Sequence, residues 1–181
     1  MAKRKQMTRP IKLAHVVFRT NQLDRMIRWY REVLGARVVF GNDKIAFLTY
    51  DDEHHRIALI AADTYAEKPK TMTVGFYHVA FTFAGLPELF ANYERLRDID
   101  IEPWRAINHG PTVSLYYRDP DNNDVELQVD RFAEADAATA WMNGEEFTND
   151  PIGIEFDPND MIKAIADGTP KAELMKRPDE R

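Results

Sequence analysis

The five histidines, at positions 15, 54, 55, 78 and 109, are the side chains of this sequence best suited to chemistry near neutral pH. There is no cysteine, which excludes disulfides, thiolate metal sites and thiol nucleophiles. Any metal must be held by His, Asp or Glu. His15 opens the run HVVF and His78 opens HVAF, both β-branched and aromatic in the manner of a strand. Glu126 sits between Val125 and Leu127, an acid inside an apolar strand. Taken singly, an inward histidine is more often a hydrogen-bonded core residue, and a strand glutamate more often faces water. Taken together on a rigid scaffold, two imidazoles and one carboxylate form the facial triad suited to non-haem Fe(II). The opposite face of such a metal stays open to water, substrate and dioxygen.

What gathers these residues is an internal repeat. The segment from His15 overlies the segment from His78 at a constant offset of 63, pairing Phe18 with Phe81, Leu23 with Leu86 and Tyr30 with Tyr93. The later halves match at an offset of 68, pairing Asp51 with Asp119 and Leu59 with Leu127. Each copy reads as a strand, an amphipathic helix and three further strands. The helical spacing of Leu23, Met26, Ile27, Tyr30, Val33 and Leu34 ends at Gly35, a natural C-cap. The fold class expected is therefore α+β: two tandem βαβββ modules joining their sheets into an open barrel around a metal centre. At the position of Glu126 the first copy holds Ala58. Three of four symmetry-related positions then carry ligand chemistry, and the alanine leaves a coordination position free, as catalytic sites require.

The remaining histidines fall at loops. His54 and His55 end the turn DDEHH two or three residues before an apolar strand, where a neutral histidine at a cleft mouth is the usual proton carrier. For His54 a solvated turn is an equal reading. His109 lies in a Gly-Pro turn entering the strand that carries Tyr116 and Tyr117. Alternation sends one tyrosine inward and the other outward, and periodicity alone does not choose between them. The offset of 68 pairs Tyr116 with Leu48.

These residues resemble the vicinal oxygen chelate superfamily (glyoxalases, bleomycin-resistance proteins and extradiol dioxygenases), and within it the single-domain extradiol ring-cleaving dioxygenases. The resemblance covers roughly residues 10–131 and rests on HVVF and HVAF with their helices, on EHHRIALIA, and on HGPTVSLYYRDPDNNDVEL. EHHRIAL ahead of the second HVAF is the part that separates ring-cleaving members from the others. It implies His15, His78 and Glu126 as metal ligands, His55 as the acid–base histidine, Tyr116 as a partner of the substrate hydroxyl and His109 as a further hydrogen-bonding histidine. It implies Fe(II), with Mn(II) accepting the same ligands, and O2 as co-substrate. The reaction implied is extradiol cleavage of a catechol-type ring to a muconic-semialdehyde-type product. Two rivals remain: another metal-dependent member of the superfamily, such as an isomerase, and a metal-free protein that binds or sequesters an aromatic compound. Ala58 and His55 speak against the first, and the retained triad against the second.

Composition sets the wider frame. The chain has 181 residues with a net charge of −6, against the basic surplus of a nucleic-acid binder. No apolar run approaches the roughly 20 residues of a membrane span, and the basic start lacks a signal peptide's apolar stretch. A cytoplasmic protein is expected. Residues 1–130 hold equal numbers of acids and bases, so the whole negative charge belongs to the C-terminal segment. The organisation expected is a flexible basic N-terminus (1–9), module 1 (10–70), module 2 (71–131) and a C-terminal extension (132–181). Trp141, Met142, Ile152, Ile154 and Phe156 in that extension need cover, from its own core or from a neighbouring subunit. A helix-capable stretch is expected over 133–147 and a short helix over 161–168 ended by Gly168, with an extended stretch between them and a frayed last dozen residues. A homo-oligomer and a small aromatic diol are the partners expected, and the 11% aromatic content tolerates a bulky or bicyclic ring.

Overall fold

A computed structural model of the chain describes residues 7–69 and 71–180. Most of the basic stretch 1–9 lies outside the described residues. Two units, Met1–Glu67 and Lys68–Arg181, divide the chain. The first runs β1 (Val16–Thr20), α1 (Leu23–Leu34), β2 (Arg37–Gly41), β3 (Ile45–Thr49) and β4 (Ile57–Ala61). Its sheet has the order β1-β4-β3-β2, with β1 and β4 parallel and the other pairs antiparallel. The second repeats that order as β5 (His78–Thr82), α2 (Leu86–Arg97), β6 (Arg105–Asn108), β7 (Thr112–Arg118) and β8 (Asp124–Asp130). The architecture is α+β, with two mixed sheets.

Each helix covers one face of its sheet, and alternation along the strands decides which side chains it buries. On α1 the apolar stripe Met26, Trp29, Tyr30 and Val33 is buried, and Gly35 ends the helix at a φ of 62°. The strand residues buried with it include Phe18, Ala46, Leu48, Ile57 and Leu59. On α2 the stripe is Leu86, Leu89, Phe90, Tyr93 and Leu96, and the corresponding strand residues are Phe81, Leu115, Tyr117, Val125 and Leu127. Each such side chain contributes about 1.5–3 kcal/mol by leaving water. The residues between them on each strand occupy the other face, where Glu126 and Tyr116 of the second unit lie.

Register corrects one detail of the repeat. Ala58 pairs with Phe47, and Glu126 pairs with Tyr116. Tyr116 therefore answers Phe47, not Leu48, and Leu48 answers Tyr117. An ungapped offset across both late strands fails because the turn after β3 is one residue longer than the turn after β7. In the shorter turn the Asp119 carboxylate accepts from the Asp121 and Asn123 amides at 2.9 and 2.8 Å. Asn122 there adopts a φ of 60°, a conformation that asparagine tolerates better than most residues.

Beyond β8 the chain continues as α3 (Ala135–Met142), α4 (Glu145–Asn149), β9 (Ile154–Glu155), α5 (Pro158–Ala166), α6 (Lys171–Leu174) and a 3-10 turn, Pro178–Glu180. The short strand β9 joins the sheet beside β6, giving β5-β8-β7-β6-β9. Among the described residues, 170–180 are not frayed. Leu174 and Met175 are buried, and the Arg177 side chain is 1% exposed. Its guanidinium donates to the Asp150 carbonyl at 2.8 Å and to the Asp179 carboxylate at 2.7 and 3.0 Å. A buried guanidinium with that many acceptors ties the end of the chain down. Trp141 closes over Gly110, which adopts a φ of +97° and where a Cβ would lie 1.9 Å from the indole.

Candidate metal centre and proton-handling groups

Glu126 is the centre of the second unit's open sheet face. It sits on β8 opposite Ala80 of β5 and Tyr116 of β7, so His78, two residues before Ala80, shares its face. Glu126 is 5% exposed, and His78 Nε2 lies 3.0 Å from its Oε2. Tyr116 hydrogen-bonds the same carboxylate. His109, just past the end of β6, brings Nε2 to 2.8 Å from the Tyr116 hydroxyl and 3.9 Å from Glu126 Oε1. Register thus answers what periodicity left open: Tyr116 faces the acid, and Tyr117 is buried on the helix side.

The electrostatics follow from burial. Desolvation first, then the Glu126 charge and its hydrogen bond, push the Tyr116 phenol well above its ordinary value. It remains a proton donor. Desolvation lowers His109 below the ordinary histidine value, against the opposing pull of the Ile152 carbonyl and of Glu126. The Glu126 carboxylate is buried, and its ion-pair partners among the described residues are histidines, with no lysine or arginine. Burying a carboxylate without a fixed cation is costly. A divalent cation held by imidazole and carboxylate would remove that cost, so the donor set fits such an ion. The buried Nδ1 of His78 has no hydrogen-bond partner among the described residues.

The first unit carries a different cluster. His15 lies one residue before β1, not within it, and is exposed. That difference is within the fraying of any strand end. Its ring stands 4.4 Å from that of His55, centroid to centroid. Phe47 also stacks on His55, at 4.6 Å and 17°. His54 approaches through Nδ1, 2.6 Å from His55 Nδ1, and its own ring is exposed. Burial, then His15 and His54, lower the His55 imidazole below its ordinary value, while Glu53 raises it. The turn is braced by Arg56, which donates to Asp51 at 2.9 Å and to the Leu13 carbonyl at 2.7 Å. Glu53 pairs with Lys12.

His78, Glu126, Tyr116 and His109 are therefore brought together in the second unit, while His15 and His55 meet in the first. Among the described residues, no group of three or more His, Asp and Glu side chains is gathered closely enough to hold a metal ion. Two groups escaped sequence reasoning. Phe47, the platform for His55, becomes legible once the register of β3 against β4 is known. The Ile152 carbonyl, which takes the hydrogen bond from His109 Nδ1, is a backbone group with no signature in composition. No helix among the described residues is long and apolar enough to cross a membrane.

The family model for the Glyoxalase/Bleomycin resistance protein/Dioxygenase superfamily matches residues 12–127. The chain is 49% identical over 172 residues to biphenyl-2,3-diol 1,2-dioxygenase 3 of Rhodococcus globerulus, covering 94% of this chain and 90% of that protein. Against biphenyl-2,3-diol 1,2-dioxygenase 2 of the same organism it is 46% identical over 164 residues, covering 91% and 86%. Among solved structures, a glyoxylase/bleomycin resistance protein/dioxygenase domain from Frankia sp. superposes with a TM-score of 0.57 at 21% identity, over 70% of this chain and 96% of that one. At that identity the likeness speaks for the fold alone.

Proposed function

Because the chain belongs to the Glyoxalase/Bleomycin resistance protein/Dioxygenase superfamily, we propose that it cleaves a catechol-type ring in the extradiol manner with O2. The substrate class proposed is a small aromatic diol, with 2,3-dihydroxybiphenyl the first to try because of the two Rhodococcus relatives. The observation that carries the reading is the buried Glu126 carboxylate, shared by His78, Tyr116 and His109 on one sheet face.

In this reading His15, His78 and Glu126 hold a non-haem metal, Fe(II) with Mn(II) as the alternative ion. The two βαβββ modules, residues 10–70 and 71–131, form an open barrel around it, and residues 132–181 extend the second. When bound, the metal supplies a redox-active centre with positions open to the diol and to O2. The protein's own groups do the rest. His55 takes a proton from a substrate hydroxyl and returns one as the ring opens, a role worth roughly 10²–10⁴-fold. Phe47 stacks on its ring and limits its rotation. Tyr116, held protonated, turns its one hydrogen away from its resting acceptor and donates it to a substrate oxygen as charge grows there. His109 hydrogen-bonds Tyr116 and keeps that hydroxyl aimed. The protein is proposed to act in the cytoplasm as a homo-oligomer.

The test is oxygen uptake by Fe(II)-reconstituted protein with 2,3-dihydroxybiphenyl and substituted catechols, alongside elemental analysis. One O2 consumed per diol, with a conjugated ring-opened product in the absorption spectrum, is the expected result. Metal bound tightly without uptake on any diol would point instead to an isomerase-like member. Failure to bind metal at all would leave a binding protein.

A further inference from the structure

The C-terminal extension meets the catalytic groups at one atom. His109 Nδ1 hydrogen-bonds the carbonyl oxygen of Ile152, 43 residues further along the chain. A carbonyl can only accept, so Nδ1 must carry the hydrogen. In the neutral ring that leaves Nε2, 2.8 Å from the Tyr116 hydroxyl, as an acceptor. The tautomer of a histidine is set by the bond its other nitrogen makes. Here a backbone group outside the repeated modules makes that bond.

The carbonyl is itself held in place. Asp150 Oδ1 accepts from the Ile152 and Gly153 amides at 3.1 and 3.0 Å, closing a turn that aims the intervening peptide. Arg177, buried behind it, donates to the Asp150 carbonyl at 2.8 Å and reaches the Asp150 carboxylate at 3.4 Å. Gly153 allows the close approach: it has a φ of +95°, and a Cβ there would lie 2.4 Å from the Asn108 carbonyl oxygen. Asn108 and Ile154 pair across β6 and β9, and the Asn108 side chain donates to the Lys176 carbonyl at 2.9 Å. The turn at 150–153 is thus clamped to the end of β6 from both sides.

We infer that this turn is part of the catalytic apparatus, with the Ile152 carbonyl fixing the His109 tautomer and Asp150, Gly153 and Arg177 acting as positioning residues. The inference rests on the ring-cleavage reading for its effect on turnover, but not for the tautomer. With Nε2 as acceptor, His109 competes with the Glu126 carboxylate for the single Tyr116 proton, and the phenol oxygen keeps a fixed direction in the site. Without the clamp the His109 ring turns freely and Tyr116 keeps only the Glu126 carboxylate as partner.

The experiment uses the full chain with Asp150→Ala, Gly153→Ala, Arg177→Met and Arg177→Lys. In metal-free protein, two-dimensional 15N–1H spectra of the histidine rings should show wild-type His109, assigned by its loss in His109→Gln, as the Nδ1–H tautomer. The first three variants should shift it toward a tautomer mixture, and Arg177→Lys should lie between. In Fe(II)-loaded protein the same three should lose roughly 10–100-fold in kcat, with metal content and KM for the diol within about twofold. A wild-type Nε2–H tautomer, or variants that keep both the wild-type tautomer and full kcat, overturns the inference. If every catechol leaves the wild type silent while the tautomer follows the clamp, the ring-cleavage reading has failed and the clamp stands. Circular dichroism and amide exchange at β9 identify variants that have merely unfolded, and Arg177→Lys carries the comparison if they do.

Discussion

The two copies of the βαβββ unit put different chemistry on the same scaffold. Both have a helix over one sheet face, the same strand order and the same parallel pairing of first and last strands. On the other face they diverge. Where the second unit has Glu126 beside Tyr116, the first has Ala58 beside Phe47. The acid and phenol make a buried polar network with His78 and His109, whereas the alanine and phenylalanine make a flat apolar wall. Against that wall the first unit holds His55, stacked on Phe47 and next to His15. A packed helix face tolerates little change in volume, so the two copies kept theirs. The open face carried no such constraint: one copy gathers an acid, a phenol and two imidazoles there, and the other gathers imidazoles against an apolar wall.

Breaking the polar side of this comparison should have the largest effect. Glu126→Ala and His78→Ala should each abolish metal binding, as read by elemental analysis, and with it essentially all oxygen uptake. His15→Ala should do the same. Full metal content in any of the three would remove that residue from the proposed ligand set.

Breaking the proton-carrying side should cost less and should leave the metal in place. His55→Gln keeps a polar side chain of similar reach that cannot exchange a proton near neutrality. Turnover should fall by roughly 10²-fold, about 2.7 kcal/mol of transition-state stabilisation, with iron content and diol affinity near wild type. His54, exposed and off the Phe47 platform, should tolerate the same change with only a few-fold loss. Equal losses in the two variants would show that the proton passes through neither ring specifically.

The smallest effect sharpens a second contrast, between the modules and the extension. Glu180 takes two hydrogen bonds from Arg131, at 2.6 and 2.8 Å. That pairing, ahead of the opposing effect of burial, holds its carboxyl below the ordinary value of 4.5. The stabilisation is therefore fully present above pH 4.5 and is lost as the pH falls through the lowered folded value. Thermal melting of Glu180→Gln should lie a few degrees below wild type at pH 7, and the gap should close on acidification below 4.5. A gap that is constant with pH would mean that the ion pair contributes nothing to the docking of the chain end.

Much of this molecule can be read along the chain. Helical and strand periodicities, the recurrence of HVVF as HVAF, and the turn chemistry of Asp119 are local properties, carried by residues a few positions apart. They were enough for the α+β class and the repeated element order; the resemblance singled out His55 and Tyr116, and residue type alone marked His15, His78 and Glu126 as candidates. Those residues announce themselves because their types are unusual for apolar strands and strand ends. What needed the folded chain was everything decided by register or by distant backbone. The choice of Tyr116 over Tyr117, and the pairing of Phe47 rather than Leu48 with that position, turn on a single extra residue in one turn. One residue of slip exchanges the two faces of a strand, and no composition reveals it. The Ile152 carbonyl at His109 and the burial of Arg177 lie further still from any local signal. An arginine in an acidic tail reads as solvated until the chain folds back and surrounds it with acceptors.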